Sequence, residues 1–192
     1  MKIISTPRAI LLEAFDNQPA TYDADITYSK VIQPFLENKI RILDTAFAIE
    51  NNIDMIIAHY FFGTNDLKTK DKSEKFKTLV LTSDWCTFAS KRKLIFQIIN
   101  EQNLLKGSEK NDYESYLQKT MSYRNAFTHG TMSTNGEIVK LKYYEGGPKI
   151  KTIDDNYLTE IEQNLKATFD LTMKVAFQIG AIIQHDLKNN AL

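Results

Sequence analysis

The segment RNAFTHG at residues 124–130 carries a permanent cation and a titratable imidazole about one and a half helical turns apart. A guanidinium group neutralises a phosphate, and a histidine side chain moves a proton near neutral pH. These are the two groups that an RNA cleavage without a metal ion needs. Arg124 and His129 are therefore the candidate catalytic residues.

This segment closes a predicted helix that runs from about residue 110 to residue 128. Projected at about 100° per residue, the apolar side chains of the helix form one broad arc, and Arg124 falls inside it. Asn125, Thr128 and His129 follow on the adjoining edge, so the four polar residues cover a contiguous patch of roughly 140°. An isolated buried charge is costly. We therefore expect Arg124 to face a partner, an interface or a ligand.

Both candidate residues also have a purely structural interpretation. Arg124 could be a core arginine in a salt bridge with Glu50 or Asp54, and His129 could interact with the terminal carbonyl groups of its helix. In a functional site, one of Glu50 and Asp54 could instead hold Arg124 in position; the two acids lie four residues apart and therefore share one face of their helix. The helix rotation that decides between these alternatives is not fixed by the sequence.

Apolar residues at three- and four-residue spacing predict further long helices. One extends from about residue 33 to 62, one from about 84 to 105, and a last one from about 155 to 188, with Asp154 and Asp155 as sources of N-cap chemistry. The lysines and acids of residues 64–77 show no apolar periodicity, so this stretch is predicted as a solvated loop.

Strict alternation of apolar and polar residues occurs before the last helix. The run IVKLKYY at residues 138–144, a Gly-Gly-Pro turn and a second extended run predict a β-hairpin within residues 134–153. Lys140, Lys142 and Tyr144 could contact RNA from its outward face, or the hairpin could only cover an edge of the helices. We expect the structural role, since lysines on an outward strand face are usually just solvated.

These elements predict a mainly all-α protein with a single domain over residues 1–192. Its architecture would be an antiparallel up-and-down bundle of about four long helices with a small β-hairpin inserted before the last helix. Residues 1–30 would form an N-terminal arm with a short helix at residues 8–15. Residues 33–130 would supply the bundle helices that end in the motif.

Composition restricts the function classes. Among 192 residues, 43% are apolar, and 24 Lys and Arg balance 24 Asp and Glu, so no global field draws the protein to nucleic acid or to a membrane. The single cysteine, Cys86, suits a reducing compartment, and no signal or membrane segment is evident, so we expect a cytoplasmic protein. Three scattered histidines and one cysteine have no zinc-ligand spacing. No metal or cofactor is expected.

An Arg, a polar residue directly after it, and a His five residues after the Arg near the end of a bundle helix resemble the motif of the HEPN superfamily (higher eukaryotes and prokaryotes nucleotide-binding). Arg124, Asn125 and His129 occupy these positions. The resemblance covers the motif and, more loosely, the helix order over about residues 33–187.

The resemblance implies a homodimer in which two motif helices face each other and both Arg-His pairs form one cleft. Many such proteins are metal-independent endoribonucleases in toxin-antitoxin, antiviral defence or RNA-processing systems. In that chemistry, a ribose 2′-hydroxyl attacks the neighbouring phosphorus. His129 would be the general base or acid, Arg124 would contact the phosphate oxygens, and Asn125 would orient His129 or the phosphate.

Two further expectations follow from the comparison with this family. Toxins of the family that are paired with nucleotidyltransferase antitoxins often carry a Tyr two residues after the His, where this chain has Thr131. Regulation by that route is therefore not expected, although an antitoxin or another regulatory protein stays a possible partner. The competing interpretations are a non-catalytic HEPN-like module that binds nucleotide, RNA or protein, and a dimerisation scaffold without a nucleic-acid role.

Overall fold

The computed structural model of the protein describes residues 28–63, 67–135 and 137–181. Over these ranges the chain is mainly helical with one small antiparallel sheet, so the mainly all-α prediction is confirmed, while the up-and-down bundle stays a prediction. The predicted short helix at residues 8–15 and the end of the chain beyond residue 181 lie outside the described residues. The elements are α1 (Gln33–Phe62), α2 (Leu67–Phe76), α3 (Phe88–Gln102), α4 (Gly107–His129), β1 (Thr131–Thr134), β2 (Val139–Tyr144), β3 (Pro148–Ile153) and α5 (Asp155–Gln178).

The bounds of α1 agree with the prediction, those of α3 differ from it at both ends, and those of α5 differ from it at the C-terminal end. Helix α3 begins at Phe88, later than predicted, because the Thr87 side chain accepts a hydrogen bond from the Ser90 backbone N–H and caps the helix there. Helix α5 begins as predicted, with the Asp154 carboxylate accepting from the Tyr157 N–H at 2.8 Å. It ends at Gln178 rather than near residue 188, since Gly180 takes a left-handed φ of 78°.

The prediction of a loop at residues 64–77 is wrong for its larger part, because helix α2 occupies Leu67–Phe76. A π-helical turn at Lys77–Leu81 follows the helix directly. Asp71 and Lys75 form an ion pair at 2.8 Å one helical turn apart, and the Phe76 ring packs at 5.2 Å from the Phe62 ring. The aromatic contact thus anchors a helix that has few apolar residues, and the exposed ion pair adds little to it.

The predicted hairpin is confirmed as β2 and β3, but a further strand, β1, precedes it. The three strands form an antiparallel sheet in the order β1-β2-β3. Thr131 pairs with Lys142, and Lys142 in turn pairs with Ile150. On the other face of β2, Val139 and Leu141 are buried. Strand β2 therefore turns its apolar side to the protein interior, as the alternation predicts, whereas the residues of β3 other than Ile153 are exposed on both faces.

The described residues cluster into two compact units, one of residues 28–44 with 122–163 and one of residues 45–121 with 164–181. Each unit has its own apolar core. In the first unit the buried apolar residues are Ile32, Phe35, Ile42, Tyr123, Ala126, Phe127, Val139, Leu141, Tyr157 and Ile161. In the second unit they include Ile49, Ile53, Ile56, Ile57, Ile95, Ile98, Ile99, Tyr113, Leu117, Leu165 and Val175. The single domain predicted for the whole chain stays a prediction.

Buried hydroxyl groups join α4 to α5 in the second unit. The Tyr113 hydroxyl lies 2.9 Å from the Thr172 hydroxyl, and the Thr120 hydroxyl lies 3.0 Å from that of Thr168. The Asn164 side-chain amide donates to the Thr120 hydroxyl at 3.0 Å. Since the residue numbers rise along one helix as they fall along the other, the two helices run antiparallel there.

A buried lysine joins α1 to α3, also in the second unit. The Lys91 ammonium lies 2.7 Å from Glu50 Oε1 and 2.9 Å from Asp54 Oδ2, and the Lys91 side chain is only 5% exposed. Carboxylate contacts outweigh the burial that disfavours this charge, so the pKa of Lys91 is raised. Burial raises the pKa of Asp54, whose second oxygen is buried without a hydrogen-bond partner.

Replacing the buried lysine tests this cluster. We expect Lys91→Met to lower the free energy of unfolding by roughly 3–5 kcal/mol, because it leaves two carboxylates without their buried counter-ion. The matched control is Lys93→Met on the same helix, where the side chain is exposed and a change within about 0.5 kcal/mol is expected. Urea unfolding measures both, and equal effects would show that the Lys91 ion pairs do not stabilise the fold.

The protonation of Asp54 gives a second test of the same cluster. Because its pKa is raised in the folded state, the folded protein binds this proton more tightly than the unfolded chain, and stability is lost as pH rises above the ordinary value of 3.8. The unfolding free energy of the wild type relative to Asp54→Asn should therefore fall as pH rises from acid towards neutral. Urea unfolding at a series of pH values measures this, with Asp84→Asn at an exposed carboxylate as control. A difference that rises with pH would contradict the assignment.

Candidate functional site

The last two turns of α4 bury their apolar side in the first unit. Phe127 is fully buried, and its ring stacks on the Phe35 ring with centroids 6.1 Å apart and planes 23° apart. Ala126 and Tyr123 are buried as well. Burial of one side of the helix end fixes which side of it faces solvent.

The side of the helix end that faces solvent carries the motif. Asn125, Thr128 and His129 are exposed, and Arg124 is half-buried between this edge and the apolar side. The Arg124 Nη1 group donates a hydrogen bond to Asn125 Oδ1 at 3.2 Å. The exposure of the four polar residues therefore agrees with the helical projection, which puts Arg124 at the border of the apolar arc.

Tyrosine contacts fix the rotation of this helix end. The Tyr123 hydroxyl donates to Glu160 Oε1 on α5 at 3.1 Å, and the Tyr123 ring meets the Tyr157 ring edge-on at 6.1 Å. Burial, together with the charge of Glu160, raises the pKa of Tyr123 well above its ordinary value. The hydroxyl is therefore a donor over the whole physiological pH range. The Lys151 ammonium lies 4.5 Å from the centre of the Tyr157 ring and extends this cluster to β3.

Gly130 joins the motif to the sheet by a close approach of backbones. Its N–H donates to the Ala126 carbonyl at 2.8 Å, which continues the helical hydrogen bonding past His129. A Cβ at this position would overlap the same Ala126 carbonyl oxygen, and it would lie 2.9 Å from Leu141 Cδ1 and 3.1 Å from the Lys142 carbonyl oxygen. The glycine after His129 is thus required for a steric reason and not for its backbone angles, since Gly130 does not take a left-handed φ.

The sheet is attached to α4 at a second position that the sequence does not reveal. The Ser122 hydroxyl donates to a carboxylate oxygen of Glu145, which lies directly after β2. Together with the pairing of Thr131 to Lys142, this contact holds β2 beside the motif. Strand β1 is not predicted because Thr131–Thr134 is short and Met132 is its one large apolar residue. The serine and the glutamate are far apart in sequence and share no pattern.

Glu50 and Asp54, predicted to support Arg124, bind Lys91 in the second unit. The two carboxylates therefore have a cation that the sequence analysis did not assign to them. The helical wheel could not identify this cation, because Lys91 is the first of three adjacent cations, Lys91 to Lys93, and its burial becomes visible only in the folded chain. A supporting role of Glu50 and Asp54 towards Arg124 stays a prediction.

The described residues contain no group of three or more His, Cys, Asp or Glu side chains that could hold a metal ion. Cys86 is partly exposed, and burial raises the pKa of its thiol, which makes the thiolate less available. No helix in residues 28–63, 67–135 and 137–181 has the length and apolarity to cross a membrane.

Compared with models of protein families, with curated proteins and with solved structures, the chain gives no match. The assignment of the motif therefore depends on the residues themselves and on their placement at the end of α4.

The close approach at Gly130 gives a stability prediction for the site. We expect Gly130→Ala to lower the free energy of unfolding by about 1–3 kcal/mol, because two of the three atoms that a Cβ would meet belong to the backbone and cannot move aside independently. Thr131→Ala, one residue further at an exposed position, is the control. Thermal and urea unfolding measure both variants. A Gly130→Ala protein as stable as the wild type would show that the helix and the sheet are not held this closely.

Proposed function

We propose that this protein is a HEPN-type endoribonuclease that cleaves RNA by attack of a ribose 2′-hydroxyl on the adjacent phosphorus. One observation carries the proposal: Asn125, Thr128 and His129 are exposed at the end of α4, with Arg124 beside them on the same edge. A surface histidine at the same helix end as an arginine can supply proton transfer and phosphate recognition to one substrate.

In the proposed reaction His129 takes the proton of the attacking 2′-hydroxyl. The new bond between the 2′-oxygen and phosphorus forms as the bond from phosphorus to the 5′-oxygen breaks. The 5′-oxygen then needs a proton, which a second imidazolium supplies. The products are one RNA fragment that ends in a 2′,3′-cyclic phosphate and one that begins with a 5′-hydroxyl, and no metal ion is required for either proton transfer.

Arg124 stabilises the charge that grows on the non-bridging oxygens of the phosphate. A planar guanidinium can donate two parallel hydrogen bonds to these oxygens, which a lysine ammonium cannot do with the same geometry. In the free protein the Arg124 Nη1 group already donates to Asn125 Oδ1. We infer that Asn125 orients the guanidinium, and that Thr128 lies where it can contact the same phosphate.

The need for a second proton-transfer group leads us to propose a homodimer. In this arrangement the C-terminal ends of two α4 helices face each other, and each copy supplies one Arg124 and one His129 to a shared cleft. A toxin or phage-defence role, with an antitoxin or another protein as regulator, follows from the same family resemblance and is part of the proposal.

Substitution of the histidine tests the enzyme. We expect the purified protein to cleave RNA in the presence of a chelator, and His129→Ala to lower the rate at least roughly 100-fold, which is the lower range for loss of a general acid or base. Arg124→Lys should also lower the rate strongly, because it keeps the charge and loses the planar fork. Rates come from end-labelled RNA, and product ends are identified by mass spectrometry.

The controls separate chemistry from folding and from contamination. His59→Ala removes a histidine of the second unit, and Arg92→Lys repeats the arginine exchange on α3; both should cleave like the wild type. Replacing the attacking 2′-hydroxyl by hydrogen at the cleavage position should abolish the reaction. Equal cleavage by His129→Ala and wild type, or no cleavage of any RNA by the wild type, would contradict the enzyme. Sedimentation equilibrium measures the dimer in the same preparations.

A further inference from the structure

We propose that the outward face of the three-stranded sheet is a binding surface for single-stranded RNA next to the motif. The inference rests on the proposed function, because it concerns how the substrate of that same site is held. It assigns base stacking to Tyr144 and phosphate contacts to Lys140 and Lys142. The strand register, the exposure of Tyr144 and Ile150, and the charge of the half-buried Lys140 and Lys142 carry the argument.

The register defines which side chains share the outward face. Lys142 lies between Thr131 on β1 and Ile150 on β3, and Tyr144 pairs with Pro148. The residues of this face are Thr131, Ser133, Lys140, Lys142, Tyr144, Pro148, Ile150 and Thr152. On the opposite face of β2, Val139 and Leu141 are buried, with exposures of 6% and 1%, and Tyr143 is half-buried.

The open part of the outward face centres on two large side chains. Tyr144 is 80% exposed and Ile150 is 64% exposed, whereas Ser133 at the β1 end of the face is buried. Tyr144 and Ile150 are diagonal neighbours across β2 and β3, with Cα atoms about 7–8 Å apart. An exposed tyrosine beside an exposed isoleucine offers a flat apolar platform of the kind on which an unpaired base stacks.

The charge of the face favours a polyanion as its occupant. Lys140 and Lys142 are its ionisable side chains besides the tyrosine, and none of the residues of the face is acidic. The nearby Glu145 is held by the Ser122 hydroxyl. A protein with no net charge has no global attraction for RNA, so binding requires a local surface of this kind.

The sheet is held close to the candidate catalytic residues within the first unit. Strand β1 begins two residues after His129, and Lys142 pairs with its first residue, Thr131. The Lys142 carbonyl also lies against Gly130. An RNA strand that lies along β2 would therefore reach the end of α4. In a base-paired helix the faces of the bases are buried, so only single-stranded RNA can stack a base on Tyr144.

Binding of an RNA that cannot be cleaved tests the surface without depending on catalysis. The affinity is to be measured by fluorescence anisotropy with a labelled single-stranded oligonucleotide in which every 2′-hydroxyl is methylated. Tyr144→Ala should weaken binding roughly tenfold, whereas Tyr144→Phe should retain it, because the ring and not the hydroxyl supplies the stacking. The double variant Lys140→Gln/Lys142→Gln should reduce the slope of log affinity against log salt by about 1.4, for two phosphate contacts on a single strand.

The control pair Lys70→Gln/Lys72→Gln removes the same charge from exposed positions of α2 and should leave affinity and salt slope unchanged. Wild-type affinity for single-stranded RNA in the Tyr144 and lysine variants would overturn the inference, as would equal affinity of the wild type for duplex RNA. A change of oligomeric state in Tyr144→Ala with unchanged RNA binding would identify the face as a protein interface instead and would also overturn it.

The outcomes separate this inference from the proposed function. If the wild type cleaves RNA and the face variants bind and cleave like it, the binding surface is wrong and the enzyme stands. If the wild type binds the methylated RNA through Tyr144 and cleaves no RNA, the surface stands and the enzyme is wrong.

Discussion

The contact of Gly130 with the last turn of α4 is the constraint on which the candidate site depends. It brings the Ala126 carbonyl, the Leu141 side chain and the Lys142 backbone within contact of one residue that has no side chain. Because α4 and β1 are separated only by Gly130, both elements hold the motif in place. Sites built on helices and strands hold their geometry better than sites built on loops.

Much of the fold follows from sequence periodicity, and the failures have physical causes. Both ends of helix α1 are predicted correctly because its apolar pattern continues over the whole 30-residue helix and Gly63 follows it. Two apolar residues of this helix, Ile40 and Phe47, are nevertheless exposed, which shows the limit of prediction from periodicity. An apolar stripe drifts around a helix of this length, so not all of its residues face the core. Helix α2 is missed because its few apolar residues form no repeating pattern, and the packing of Phe76 on Phe62 becomes visible only in the folded chain.

The candidate site is predictable to the extent that it lies on one helix. Positions 124, 125, 128 and 129 follow from helical geometry alone, and their exposure agrees with the projection. Contacts between elements do not follow, because they depend on how each helix is rotated against the next. The binding of Lys91 to Glu50 and Asp54 is of this kind, and so are the attachments of Ser122 to Glu145 and of Tyr123 to Glu160.

The buried hydroxyl pairs between α4 and α5 have a consequence for how this chain tolerates change in length. Apolar side chains can repack against other apolar neighbours of similar volume at modest cost, but the pairs of Tyr113 with Thr172 and of Thr120 with Thr168 exist in one register only. A single-residue deletion inside α4 would rotate everything after it by about 100° and would leave several hydroxyls facing hydrocarbon at once. Insertions and deletions that the protein survives should therefore fall outside this helix pair.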